Sequence, residues 1–118
     1  HVAARGRGDA WLAWGGLKGY VDGSLGSHTA AMLEPFADAP HDRGLFVTPA
    51  DSLERWVRGA DAAGLQVMVH AIGDAANRTL LDVYQRVAAA NGPRDRRWRV
   101  EHAQHLVPAD VPRFAALG

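Results

Sequence analysis

Cysteine is absent from the 118 residues, which excludes disulfides and thiolate metal sites. Net charge is absent too, because 13 basic residues balance 13 acidic ones when histidines are neutral. The chain thus lacks the electrostatic footprint of a protein that binds nucleic acid or an anionic membrane. No apolar run approaches the roughly 20 residues needed to span a bilayer. The opening stretch, HVAARGRGD, lacks the apolar core of a signal peptide. The expectation is a cytoplasmic protein with neither a membrane nor a nucleic-acid partner. An initiator Met is also missing, which leaves a piece of a longer protein, a processed product and a truncated start all open. What is present suits one folded domain: the hydrophobic share is 47%, and that argues against disorder.

Along the chain, apolar runs alternate with helical patterns. WGGLKGYV, residues 14–21, reads as a short strand weakened by its glycines. Residues 22–48 show no periodicity, and a structureless stretch of that length is usually functional or disordered. Thr48-Pro49-Ala50-Asp51 is a helix-start signature, with Thr48 as cap and Asp51 as the capping-box acid. Leu53, Trp56, Val57 and Ala60 then mark one apolar helical face, and Gly64 ends it. LQVMVH, residues 65–70, reads as a strand. From Asp74 a second helix carries Asn77, Leu80, Leu81, Tyr84, Val87 and Ala88 on one face, and Asn91-Gly92-Pro93 stops it. WRVEH, residues 98–102, reads as a third strand. A third helix is expected near Pro108, with Val111, Phe114 and Ala115 inward. This alternation implies an α/β fold with a parallel sheet and right-handed crossovers. No internal repeat or low-complexity tract accompanies it.

Side chains alternate across a strand, so Gln66 and Met68 share the face of His70, while Leu65, Val67 and Val69 form an aliphatic face for helices. His70 then stands at the carboxyl end of its strand, where parallel α/β folds bind ligands. His102 ends the next strand. Neighbouring strands lie about 4.8 Å apart, so two such histidines can converge on one ion. A single histidine there is more often structural, and the pair carries the argument. Placing His102 inward sends Arg99 and Glu101 to the helix side, with no evident partner for their charges. Asp74 reads foremost as a helix cap and otherwise as a group that orients a ligand or touches substrate. Lys18 reads as an edge-strand lysine that blocks aggregation. His28, His41 and His105 are expected to be loop histidines. DGSLGS, residues 22–27, is a glycine-rich turn with neither the P-loop nor the dinucleotide-binding spacing.

Taken together, GLKGYVDGSLGSHTAAMLEPF, VMVHAIGDAANRTLLD and RWRVEHAQHL resemble the YtcJ-like branch of amidohydrolase family 3, which includes N-substituted formamide deformylase. The resemblance covers most of the chain, in the family's order. It implies a metal-dependent (β/α)8 barrel, and the strands here would be roughly barrel strands 4–6 with their helices. It puts the strand-five ligand on His70, the strand-six ligand on His102 and the strand-four lysine, often carbamylated across the superfamily, on Lys18. It also implies a divalent metal, with Zn2+ the expected ion and one or two ions bound. By the same resemblance Asp22 and its loop shape the pocket mouth, and Asp74 and Glu101 orient ligands.

The family's H-x-H pair and its general-base aspartate are absent from this sequence. Eight strand–helix units need about 250 residues. Residues 1–118 are therefore expected to be an internal segment of an amidohydrolase barrel domain. The expected parent activity is hydrolysis of a non-peptide C–N bond in a small amide or formamide by metal-activated water. The isolated segment should be inactive, and should self-associate or need the rest of its parent. The rival is a non-catalytic binding or structural module that retains a half-barrel. A flavodoxin-like domain is weaker still, because no phosphate loop supports it.

Overall fold

A computed structural model describes residue 6 and residues 8–118. Of the HVAARGRGD stretch, His1 to Arg5 and Arg7 lie outside the described residues. Strands β1 (Gly16–Tyr20), β2 (Gln66–Ala71) and β3 (Arg99–His102) form one parallel sheet in that order. Helices α1 (Ala50–Ala62), α2 (Asp74–Asn91) and α3 (Val111–Leu117) follow the strands in turn, and a short 3-10 turn, Pro108–Asp110, leads into α3. The expected parallel α/β alternation is therefore the architecture found. Among the described residues no helix is long and apolar enough to cross a membrane.

The core lies between the sheet and the first two helices. Val67 and Val69 of β2 are buried on the helix side, against Leu53, Val57 and Ala60 of α1 and Leu80, Val83 and Val87 of α2. Full burial of a Val or Leu side chain contributes about 1.5–3 kcal/mol, so this layer dominates the stability of the unit. Tyr84 lies in the same layer, and its hydroxyl donates to the Arg99 carbonyl at 3.0 Å. Burial pushes the Tyr84 phenol above the usual tyrosine range, with the Glu101 carboxylate adding to the shift.

Several local expectations change. Strand β1 is shorter than residues 14–21. Helix α1 starts at Ala50 with Pro49 in the cap position and no side-chain cap. Thr48 is buried instead, and its backbone N–H, like that of Val47, points to the Val21 carbonyl. The chain is thus tied to the end of β1 before it turns into the helix. Trp56, on the expected apolar face, is half-exposed at the flank of α1. Gly64, with φ +69°, does end the helix, and its N–H donates to Asp61 O at 2.9 Å. In α3, Val111 and Ala115 are exposed, whereas Phe114 and Leu117 are half-buried and Leu117 packs against the core. A polar clamp holds this helix as well. Buried Asp110 accepts from Arg78 Nε at 2.9 Å and Arg113 Nη1 at 3.1 Å, and Arg113 also reaches Asp82 at 2.6 Å.

A second buried charge pair joins the ends of α1 and α2 to the lead into β3. Asp61 accepts from Arg96 Nε at 3.0 Å, Arg96 Nη2 at 3.2 Å and Asn91 Nδ2 at 2.8 Å. Only 2% of the Asp61 side chain and 5% of the Arg96 side chain reach solvent. Removing one partner leaves a buried, uncompensated charge. We expect Asp61→Ala to lower stability by about 3–5 kcal/mol in denaturant unfolding. Asp95→Ala, which breaks only the exposed pair with Arg97, should cost less than about 1 kcal/mol.

Candidate metal centre

The sheet face away from the helices carries two rows of side chains. Register sets Lys18, Met68 and Arg99 side by side, and then Tyr20, His70 and Glu101 one step toward the carboxyl ends. Arg99 and Glu101 thus share the face of His70, contrary to the expected helix-side placement. Their charges pair with each other, and Arg99 Nη2 donates to Glu101 Oε2 at 3.2 Å. Val100 between them takes the helix side and packs against the core.

His102 should then face the helices too, because its Cα pairs with that of buried Ala71. It does not, because the strand ends in an unusual backbone turn. His102 has φ +75° and Ala103 φ +44°. Left-handed non-glycine residues cost of order 1–3 kcal/mol and persist only where the surroundings impose them. Here Ala103 N donates to Ala71 O at 3.1 Å and His105 N to Ile72 O at 2.9 Å, which pins the turn to the end of β2. The His102 ring comes to rest 4.6 Å from the His70 ring, centroid to centroid, at 70°. Lys18, His70 and His102 therefore all belong to one face.

His70 is oriented from behind. Its Nε2 lies 2.7 Å from the Gly23 carbonyl, which can only accept. Nε2 is therefore the donor, and in a neutral ring this leaves the lone pair on Nδ1. Asp22 Oδ1 stands 3.5 Å from the same nitrogen. Asp22 is 1% exposed. Its carboxylate accepts from Ile72 N at 3.0 Å, Gly73 N at 2.8 Å and Ala31 N at 2.9 Å. Residues 22–48 are folded onto this point. The Ala31 carbonyl accepts from Ala75 N and Ala76 N in the first turn of α2. Gly73 is required there, since a Cβ would stand 1.9 Å from Ala31 O.

The other expected site residues lie farther from the imidazoles. Asp74 does not cap α2, where Gly73 holds the cap position. Its Oδ1 accepts from Leu33 N and Ala75 N, both at 2.8 Å, so it anchors the long loop. Lys18 is exposed on the outer strand β1, and its Nζ reaches Gly19 O at 3.2 Å and the Tyr20 ring at 4.2 Å. His28 stacks on Phe36 and pairs with Asp38 at 3.2 Å, while His41 is exposed. Two contributors were not picked out from sequence. Asn77 is fully buried, and its Nδ2 faces the carbonyls of Ala71, Ile72, Gly73 and His105, joining the loops that bear both histidines. An amide within an apolar helical stripe was its signal. Tyr20 stands two residues after Lys18, and strand parity alone puts it on the same face.

Two imidazoles on adjacent strand ends suit a divalent ion, and the free Nδ1 of His70 fits that use. Among the described residues no group of three or more His, Cys, Asp or Glu side chains converges. Parallel strand–helix units with ligands at the carboxyl ends define the (β/α) barrel class of metal-dependent hydrolases. The amidohydrolase family profile matches residues 2–118, and the chain belongs to that family. It is 52% identical over 107 residues to Protein LONG AFTER FAR-RED 3 of Arabidopsis thaliana, covering 91% of this chain and 18% of that protein. It is 38% identical over 107 residues to a Bacillus subtilis (strain 168) protein named as an amidohydrolase, YtcJ, covering 91% and 20%. Crystal structures of uncharacterized metal-dependent hydrolases superpose well. The Pyrococcus furiosus protein has TM-score 0.82 and 34% identity over 93% of this chain and 22% of its own. The Pyrococcus horikoshii OT3 protein has TM-score 0.78 and 35% identity over 90% and 20%. The chain thus spans about a fifth of the length of these relatives, as a partial barrel.

The Asp22 hub yields a direct expectation. Asp22→Ala strips three buried backbone N–H groups of their acceptor, and each such loss costs about 1–3 kcal/mol. Denaturant unfolding should show a loss of at least about 3 kcal/mol, larger than for the exposed Asp38→Ala.

Proposed function

We propose that residues 1–118 are an internal segment of an amidohydrolase barrel domain. In this reading the parent hydrolyses non-peptide C–N bonds of small amide or formamide substrates. The observation that carries the reading is the 4.6 Å approach of His70 and His102 at the carboxyl ends of adjacent parallel strands. His70 and His102 would hold a divalent cation, most suitably Zn2+, with Lys18 completing this segment's share of the ligands. A neutral lysine is a poor ligand for a hard cation, whereas its carbamate offers two anionic oxygens. When bound, such an ion polarises a carbonyl and lowers the pKa of water to near 7. The chain's own residues prepare the place. Gly23 O fixes the His70 tautomer, Asp22 holds the backbone behind it, and Glu101 lies beside it in register. Asp74 keeps the long loop against the HAIGD turn. The general base would come from outside the segment, and a cytoplasmic setting accompanies this reading.

The competing reading is a binding or structural module without chemistry. Its support is that the described residues bring together only two imidazoles and no larger donor group.

Zinc content and hydrolysis of simple amides, measured on the polypeptide that carries this segment, separate the two. The enzyme reading expects bound zinc, activity lost on chelation, and a loss of both in His70→Ala and His102→Ala. Lys18→Ala should lower metal stoichiometry. The isolated 118 residues should show no turnover. A folded parent that takes up no metal and hydrolyses nothing would establish the module instead.

A further inference from the structure

Asn77 is a polar side chain among the buried residues of α2, and none of it reaches solvent. Its amide meets carbonyl oxygens, which can only accept, so the NH2 group must be turned toward them. Nδ2 stands 2.9 Å from Gly73 O, 3.1 Å from His105 O, and 3.3 Å from both Ala71 O and Ile72 O. The amide has two hydrogens to give, and the two shortest approaches are to Gly73 and His105. Each of these residues stands three positions beyond a histidine of the candidate pair, Gly73 after His70 and His105 after His102. One side chain of α2 thus spans the two turns that carry the imidazoles, and its hydrogen bonds go to their backbones rather than to the rings.

Stability alone does not account for an amide at this position. Three of the four carbonyls already accept a backbone N–H: Ala71 O from Ala103 N at 3.1 Å, Ile72 O from His105 N at 2.9 Å and Gly73 O from Asn77 N at 2.9 Å. The amide oxygen Oδ1 is buried without a partner among the described residues, and an unpaired buried acceptor is unfavourable. What Asn77 adds is the bond to His105 O, which ties α2 to the turn after β3. That turn contains the left-handed residues His102 and Ala103, at φ +75° and +44°. Such backbone persists only where its surroundings impose it. These contacts all lie within the segment and do not depend on what the rest of the parent covers.

We propose that Asn77 is the positioning residue for the histidine pair. Its bridge between Gly73 O and His105 O holds the turn after β3 in the conformation that brings the His102 ring to His70, and so sets the affinity of the pair for a divalent cation. The proposal rests on the reading of His70 and His102 as metal ligands. Asn77 itself supplies no ligand.

The test measures zinc affinity by chelator competition on the polypeptide that carries this segment, together with the absorption spectrum of its Co2+-loaded form. Asn77→Leu keeps the size of the side chain and removes the donor. Asn77→Ser keeps a short donor that can return to Gly73 O, four residues back along the helix, but is too short to bridge to His105 O. Both should weaken zinc binding about 10–100-fold, the usual effect of losing a group that orients a ligand, and both should alter the Co2+ spectrum. Leu80→Ala, which opens a cavity in the core along the same helix, is the control for lost stability. It should leave zinc affinity and the Co2+ spectrum as in the wild type. Wild-type zinc affinity in either folded Asn77 variant, or an equal loss in Leu80→Ala, overturns the positioning role while metal binding stands. A wild type that binds no zinc overturns the metal reading, and the role of Asn77 with it.

Discussion

The carboxylate of Asp22 is the constraint around which this segment is organised. Within a buried volume it meets the backbone N–H groups of Ala31, Ile72 and Gly73. Those three groups belong to the long loop and to the turn after β2, regions with no regular partner for their amides. Each N–H would otherwise be stranded away from water, at a cost comparable to a lost hydrogen bond. A single charged acceptor resolves all three, and bonds to an ionised acceptor are stronger than neutral ones. The same carboxylate stands 3.5 Å from His70 Nε2. The loop, the turn and the imidazole are thus held by one group, and the Gly23 carbonyl beside it accepts from the ring's Nε2.

A second constraint acts at the end of β3. An extended strand would carry His102 to the helix side, beside buried Ala71. Left-handed backbone at His102 and Ala103 reverses that placement. The strain is offset by the bonds from Ala103 and His105 to the end of β2, and Asn77 fastens the same two loops through the His105 carbonyl. Backbone strain thus occurs where a side chain must serve the site rather than the core. The opposite end of the sheet is governed by Asp61 and Arg96, a buried pair far from the histidines along the strands. The buried acids Asp22 and Asp61 thus brace opposite ends of the sheet.

Much of the architecture is readable from the residues, because it follows from periodicity. Val67 and Val69 alternate with Met68 and His70, and the helices repeat their apolar residues with the helical period. Gly64 and Gly92 stop helices by adopting φ that other residues avoid. Local rules fail where contacts distant in sequence intervene. Thr48 reads as a cap, yet the pull of its backbone toward Val21 removes it from that role. Val111 and Ala115 read as core, yet Arg113 and Asp110 decide how α3 lies.

The sequence by itself determined the parallel alternation of strands and helices, the aliphatic face of β2 and the place of His70 at a strand end. These depend on side-chain periods of two and 3.6, which are local properties. Only the tertiary structure decided that Asp22 is a buried anchor, that Arg99 and Glu101 share the site face, and that His102 turns back to meet His70. The physical reason is common to all three. Each is settled by backbone hydrogen bonds or strand register between residues far apart in the chain, and neither leaves a periodic trace in the sequence.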